Sequence, residues 1–151
     1  MRTSKHFIPR KPFAVLAFLM ISSLITGCSS LIGPSSPSLI NTQWTLKEIF
    51  GQPAQVQAHQ KPAYLVFAAS GELKGYSGCN HLFGRYHQFN TTLSFSQVAS
   101  TLMACPGNTM DNESNLMKLL EQPITYIIKG KTLVFFDNKQ QPLAKFVLVN
   151  S

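Results

Sequence analysis

The sequence predicts a mainly β, α+β domain: a small antiparallel sheet curled into a barrel-like or sandwich form, with one short helix. Three observations carry that expectation. From about Asn41 onward, short apolar alternations recur between turn residues. One stretch, Asn112 to Gln122, changes to the three-and-four spacing of a helix. No segment repeats at the period of roughly 20 to 50 residues that marks solenoids and propellers.

Trp44, Leu46 and the run to Ile49 read as a first strand, closed by a Gly51-Gln52-Pro53 turn. Ala63 to Ala68 reads as a second, ended by Ser70-Gly71, and Leu73 to Tyr76 pairs back across it. Beyond a Gly78-Cys79-Asn80 turn, Gly84 to Phe89 and Thr92 to Ser96 supply two more strands around Asn90-Thr91. In the helix Leu116, Met117 and Leu120 form the apolar stripe and Pro123 stops the run. Asn108 stands where a cap is needed, and Asp111 places negative charge at the positive helix end. Ile124 to Lys129, Thr132 to Phe136 and Leu143 to Val149 close the domain, giving seven or eight strands in all. Trp44, Phe67, Tyr86, Phe95 and Phe135 read first as core and second as the wall of a ligand pocket.

Ahead of this domain the chain reads as an address. Met1 to Pro12 carries four positive charges and no acidic residue, and the apolar stretch from Phe13 to Ile25 is short for a lasting membrane span. Leu24-Ile25-Thr26-Gly27-Cys28 resembles the lipobox of bacterial lipoproteins, with small residues before a cysteine whose thiol accepts diacylglycerol. Residues 1–27 are therefore expected to be a lipoprotein signal peptide and Cys28 the lipidated residue. Residues 28–40, rich in Ser, Pro and Gly, form a flexible linker, and 41–151 the folded domain. Each buried acyl CH₂ contributes about 0.8 kcal/mol, so two or three chains hold the protein to a membrane. Ser29 after the cysteine, rather than aspartate, points to the outer membrane, facing the periplasm.

The net charge of +7 invites a nucleic-acid reading, which does not survive removal of the leader. Arg2, Lys5, Arg10 and Lys11 leave with it, so nine of 13 basic residues remain against six acidic ones, a net +3 with no basic run. No nucleic-acid partner is expected.

Within the domain a sequence pattern stands out: Trp44-x-Leu46, Gly78-Cys79-Asn80-x-x-x-Gly84-x-Tyr86, Leu93-x-Phe95, Thr101-x-Met103-Ala104-Cys105 and Glu113-x-x-Leu116. Its order and spacing resemble the META domain, the family of HslJ-like bacterial proteins, over roughly residues 41 to 149. The resemblance implies a compact β-rich fold with a short helix. It also implies ties to envelope stress, drug tolerance and secretion, and a likeness to lipid-binding pilot lipoproteins that is one of fold alone.

Setting aside Cys28, Cys79 and Cys105 are an even pair, and in an oxidising compartment a disulfide is expected between them. Two alternatives stand beside it. Cys79, His81, His87 and Cys105 have the ligand types of a tetrahedral zinc site, but Cys79-x-His81 is spaced too tightly. A cysteine nucleophile with His81 or His87 as base lacks an obvious carboxylate to orient the imidazole. Gly75-Tyr76-Ser77-Gly78 is one residue short of a nucleophile elbow. Glu113 shares the helix face with Leu116, Met117 and Leu120, and such a carboxylate serves a site, binds nearby backbone amides or stays at the helix rim.

The function expected from all this is a non-enzymatic envelope lipoprotein that supports stress or drug tolerance by binding a protein partner or a lipid-like ligand. It needs no catalytic residue, metal or cofactor. The alternative is an envelope hydrolase or thiol-redox enzyme working through Cys79, Cys105, His81 and His87.

Overall fold

A computed structural model of the chain describes residues 37–105 and 107–149; the expected leader, Cys28 and the first part of the linker lie outside them. The strands are β1 (Gln43–Ile49), β2 (Gln52–Pro53), β3 (Tyr64–Phe67), β4 (Glu72–Tyr76), β5 (His81–Phe89), β6 (Thr92–Ser100), β7 (Ile124–Lys129), β8 (Thr132–Phe136) and β9 (Pro142–Leu148). The helix α1 (Thr109–Leu119) lies between β6 and β7. Among the described residues, all nine strands join one antiparallel sheet in the order β2-β1-β3-β4-β5-β6-β7-β8-β9, and β1 also pairs with β9. The sheet thus curls round on itself, which removes most of its exposed edge.

Alternate residues of each strand point inward, and these are the residues the sequence marks as apolar. Trp44, Leu46, Leu65, Phe67, Leu73, Leu82, Leu93, Leu133, Phe135 and Phe146 are buried together. Phe135 packs on Phe146 at 5.0 Å between ring centroids, and edge-on against Phe67 at 6.2 Å. Each such side chain stabilises the fold by about 1.5–3 kcal/mol. The helix adds Leu116, Leu119 and Leu120 to the same core. Leu39 and Ile40, at the end of the expected linker, also take part. Leu39 is buried beneath Trp44, whose indole N–H donates to its carbonyl at 3.2 Å, and Ile40 bridges Phe67.

Several boundaries differ from the sequence reading, each for a physical reason. The first turn is Phe50-Gly51, both at positive φ, so Gln52–Pro53 pairs back on β1 instead of forming the turn. β5 begins at His81 and β6 runs to Ser100. The longer β5–β6 pairing contains a bulge between Phe83 and Arg85, opposite Gln97 at φ 54°. That bulge breaks the in-out alternation on which a period-two reading depends. The helix starts at Thr109, three residues early, and ends at Leu119. Its buried stripe uses Leu119, where periodicity alone predicts the half-buried Met117. Asn108 does occupy the N-cap position but makes no side-chain capping hydrogen bond.

Tyr86 illustrates how the core reaches the rim. Its ring meets Phe67 edge-on at 5.2 Å, and its hydroxyl donates to the Ala68 carbonyl at 2.8 Å. Burial, and then the neighbouring Tyr126, raises its pKa above the ordinary value of 10.0. Because the folded state holds the neutral phenol, this contribution to stability is full below about pH 10 and is lost as pH rises through the folded-state pKa. A difference absorbance titration of wild type against Tyr86→Phe isolates this ionisation above 10.0, and the variant loses about 1 kcal/mol at neutral pH. An ionisation at or below the ordinary value would contradict this account.

Candidate functional site

Cys79, Asn80, Thr101, Met103, Cys105 and Glu113 of the sequence pattern converge on one place, where the β4–β5 connection, the end of β6 and the start of α1 meet. Cys79 and Cys105 are joined by a disulfide, with Cα atoms 5.9 Å apart. Asn80 is 1% exposed and its side-chain amide is fully used. Its Oδ1 accepts from the Thr101 hydroxyl and the Met103 N–H, both at 2.8 Å. Its Nδ2 donates to the Met103 carbonyl at 3.0 Å and to Glu113 Oε2 at 2.8 Å. The amide therefore treats Met103 as a neighbouring strand would, pairing both of its backbone groups.

Glu113 receives this network from below. Ser100 Oγ donates to its Oε1 at 2.7 Å. Ser77 Oγ accepts the Asn80 N–H at 2.9 Å, and its own proton faces Glu113 Oε2 and the Asn80 carbonyl, both at 3.2 Å. Glu113 is thus held by the side chains of Ser77 and Asn80 in the β4–β5 connection and of Ser100 at the end of β6. One position earlier, Asn112 clasps the backbone of Gln55, accepting its N–H at 2.9 Å and donating to its carbonyl at 2.6 Å. These two tertiary clasps anchor the first turns of α1 and account for its start ahead of the apolar stripe.

The two glycines of the pattern have separate causes. Gly78 has φ +99°, a conformation that side chains disfavour, and it lets the chain turn so that Asn80 faces inward. Gly84 lies at the β5–β6 bulge, where a Cβ would approach the Val98 backbone to 3.1 Å. Trp44 stays in the core and Tyr86 at its rim, away from the polar cluster.

The product of the arrangement is the segment Thr101 to Cys105. It is tied by Asn80 at Met103, by the bond at Cys105, and at Thr101 by the Thr101 N–H to the His81 carbonyl, 3.1 Å, and the His81 N–H to Thr101 Oγ1, 3.1 Å. What it displays is apolar: Leu102 is 96% exposed and Met103 53%. Ala104 completes the segment.

The alternatives considered for these residues meet a different geometry. The bond between Cys79 and Cys105 takes both thiols from a zinc site or a nucleophile. His81 lies against the Tyr76 ring at 5.4 Å between centroids, and His87 is exposed, opposite Ser94. Among the described residues no three His, Cys, Asp or Glu side chains are grouped to hold a metal ion.

The sequence does not mark Ser100 or Asn112 as site residues, and Ser77 enters its reading only as the centre of an incomplete nucleophile elbow. The available signal was slight: a serine just ahead of Gly78-Cys79-Asn80, one just ahead of Thr101, and an asparagine beside Glu113.

Fold and site together define a class: a small curled β-domain with one helix, in which a disulfide and a buried Asn–Glu cluster fasten an exposed apolar loop. The META domain family model matches residues 37–149, and the chain belongs to the META domain family. Two solved structures share the fold. A protein from Burkholderia xenovorans solved by NMR is 19% identical, with TM-score 0.58, covering 95% of this chain and all of its own. A second NMR structure is 18% identical, with TM-score 0.56, covering 71% of this chain and 89% of its own. No curated protein matches the chain.

Proposed function

We propose that this chain is a non-enzymatic META-type lipoprotein of the bacterial envelope, anchored through Cys28, which binds a protein partner through the loop Thr101 to Cys105 and so supports envelope stress or drug tolerance. One observation carries the proposal: Asn80 and the Cys79–Cys105 bond hold in place a loop whose outward side chains are Leu102 and Met103. Fixing such a tip before binding reduces the entropy lost on association, and exposed apolar side chains on a rigid frame are what an interface needs. The membrane anchor is supported by the leader and lipobox read from the sequence.

The test uses a photo-crosslinking residue at position 102 in cells carrying the full chain. A discrete higher-mass adduct from the membrane fraction is expected, lost when Met103→Ser is added, while the purified variant keeps its thermal midpoint. Unchanged crosslinking with Met103→Ser, or no adduct from position 102 together with normal drug tolerance of a deletion strain, would defeat the reading. Palmitate labelling of wild type against Cys28→Ser tests the anchor separately.

A further inference from the structure

The outward face of β7, β8 and β9 lies apart from this loop and combines apolar side chains with unpaired positive charge. The register aligns Ile127 with Val134 and Val134 with Lys145 across the three strands, and Lys129 with Thr132 beside them. Together with Phe136 these residues line an open groove of about 410 Å³. Ile127 is 55% exposed, unusual for an isoleucine in the middle of a strand.

The charges that line the groove have one sign. Lys129 and Lys145 line it, Lys131 stands in the adjoining turn, and Lys139 lies at the far end of the ribbon. The two acidic groups nearby, Asp137 and Glu48, form no ion pair with them, leaving four lysines against two carboxylates. Asp137 is committed to its own turn, where Oδ1 accepts the N–H groups of Lys139 and Gln141, each at 2.8 Å. Glu48 is the cross-strand neighbour of Lys145, yet the ion pair found among the described residues is Lys74 with Glu72.

We infer that this face docks on an anionic phospholipid surface, with Ile127, Val134 and Phe136 against the glycerol and upper acyl region and Lys129 and Lys145 among the phosphates. Charge complementarity selects this occupant. A neutral apolar protein surface would leave two ammonium groups desolvated without partners, whereas a bilayer lets lysines lay their methylene stems on the apolar zone and keep their heads at the phosphate level. In this arrangement the sheet lies on the membrane and the Thr101 to Cys105 loop is left for a partner. The orientation rests on the anchored reading proposed above, since the anchor keeps the domain within reach of the lipid.

The experiment reads lysine acetylation rates by peptide mass spectrometry on the full acylated chain in phosphatidylcholine vesicles, with and without phosphatidylglycerol. Lys129 and Lys145 are expected to slow roughly fivefold with phosphatidylglycerol, the factor that corresponds to the attraction of one lysine to an anionic leaflet. Lys61 and Lys74 stay unchanged, and high salt abolishes the difference. The paired substitution Lys129→Glu with Lys145→Glu removes phosphatidylglycerol-dependent protection from neighbouring Lys131. Equal rates in both vesicles overturn the inference. So does uniform slowing of every lysine, or protection that follows protein density in phosphatidylcholine alone, which would mean that a second copy covers the face. If the chain fails to partition with vesicles at all, the anchor reading is what fails. The docking face is then read on the unanchored chain with excess phosphatidylglycerol vesicles, where the same two lysines must still slow.

Discussion

Asn80→Asp is expected to destabilise the domain by about 3–5 kcal/mol, lowering Tm by roughly 10–20 °C in thermal unfolding at neutral pH. The substitution barely alters shape and removes two donors. The Met103 carbonyl and Glu113 Oε2 lose the N–H groups that now reach them at 3.0 and 2.8 Å, and a second carboxyl group is brought against the first in a site that is 1% exposed at Asn80 and 8% at Glu113. Each buried acceptor left without a donor costs about 1–3 kcal/mol, and the opposed carboxyl groups add to that. Adding Glu113→Gln to Asn80→Asp restores a donor between the two positions, so the double variant is expected to recover about 1–2 kcal/mol relative to additivity. Strict additivity, or a single variant within about 0.5 kcal/mol of wild type, would show that the cluster is not the clasp described. The same variants should raise hydrogen exchange at the Met103 amide, whose acceptor is Asn80 Oδ1.

Replacing both Cys79 and Cys105 by alanine is expected to cost about 3–4 kcal/mol, measured as a lower denaturant midpoint. The argument differs in kind from the one for Asn80. The bond joins residues 26 positions apart, and its main effect is to restrict the unfolded chain, whose loop-closure entropy rises with loop length. In the folded state Asn80 still holds Met103, so the loop should keep its conformation in the alanine variant, and Met103 exchange should change only as global stability does. Reducing the wild-type bond should reproduce the shift. A midpoint unchanged by both treatments would mean that the unfolded chain does not feel the constraint. A domain of this size has about 5–15 kcal/mol of stability to lose, so either change leaves it near its folding threshold.

These two results bear on the proposed partner binding through the loop. The amide clasp acts on the folded state and decides how rigidly Leu102 and Met103 are presented. The disulfide acts mainly through the unfolded state and decides how often the whole domain is present. Partner crosslinking at position 102 should therefore fall further in Asn80→Asp than in the double alanine variant at temperatures where both remain folded.

The sequence by itself determined the class of fold, most strand positions and the family. Inward-facing residues of a curled sheet must alternate, and the β7 and β8 boundaries match the reading residue for residue because nothing in that hairpin interrupts the period. The cysteine pair was legible too, because setting aside Cys28 leaves two thiols, and the structure joins them. Only the tertiary structure decided why Asn80, Thr101 and Glu113 belong to one pattern. They lie 21 and 33 positions from Asn80 along the chain and meet through hydrogen bonds that no local periodicity encodes. The same holds for the bulge at Gly84 and the early start of the helix. At the cluster and the helix start, contacts between distant segments outweigh the local preference, because leaving a buried polar group unpaired costs more than departing from an ideal cap; at Gly84 the close approach of Val98 decides.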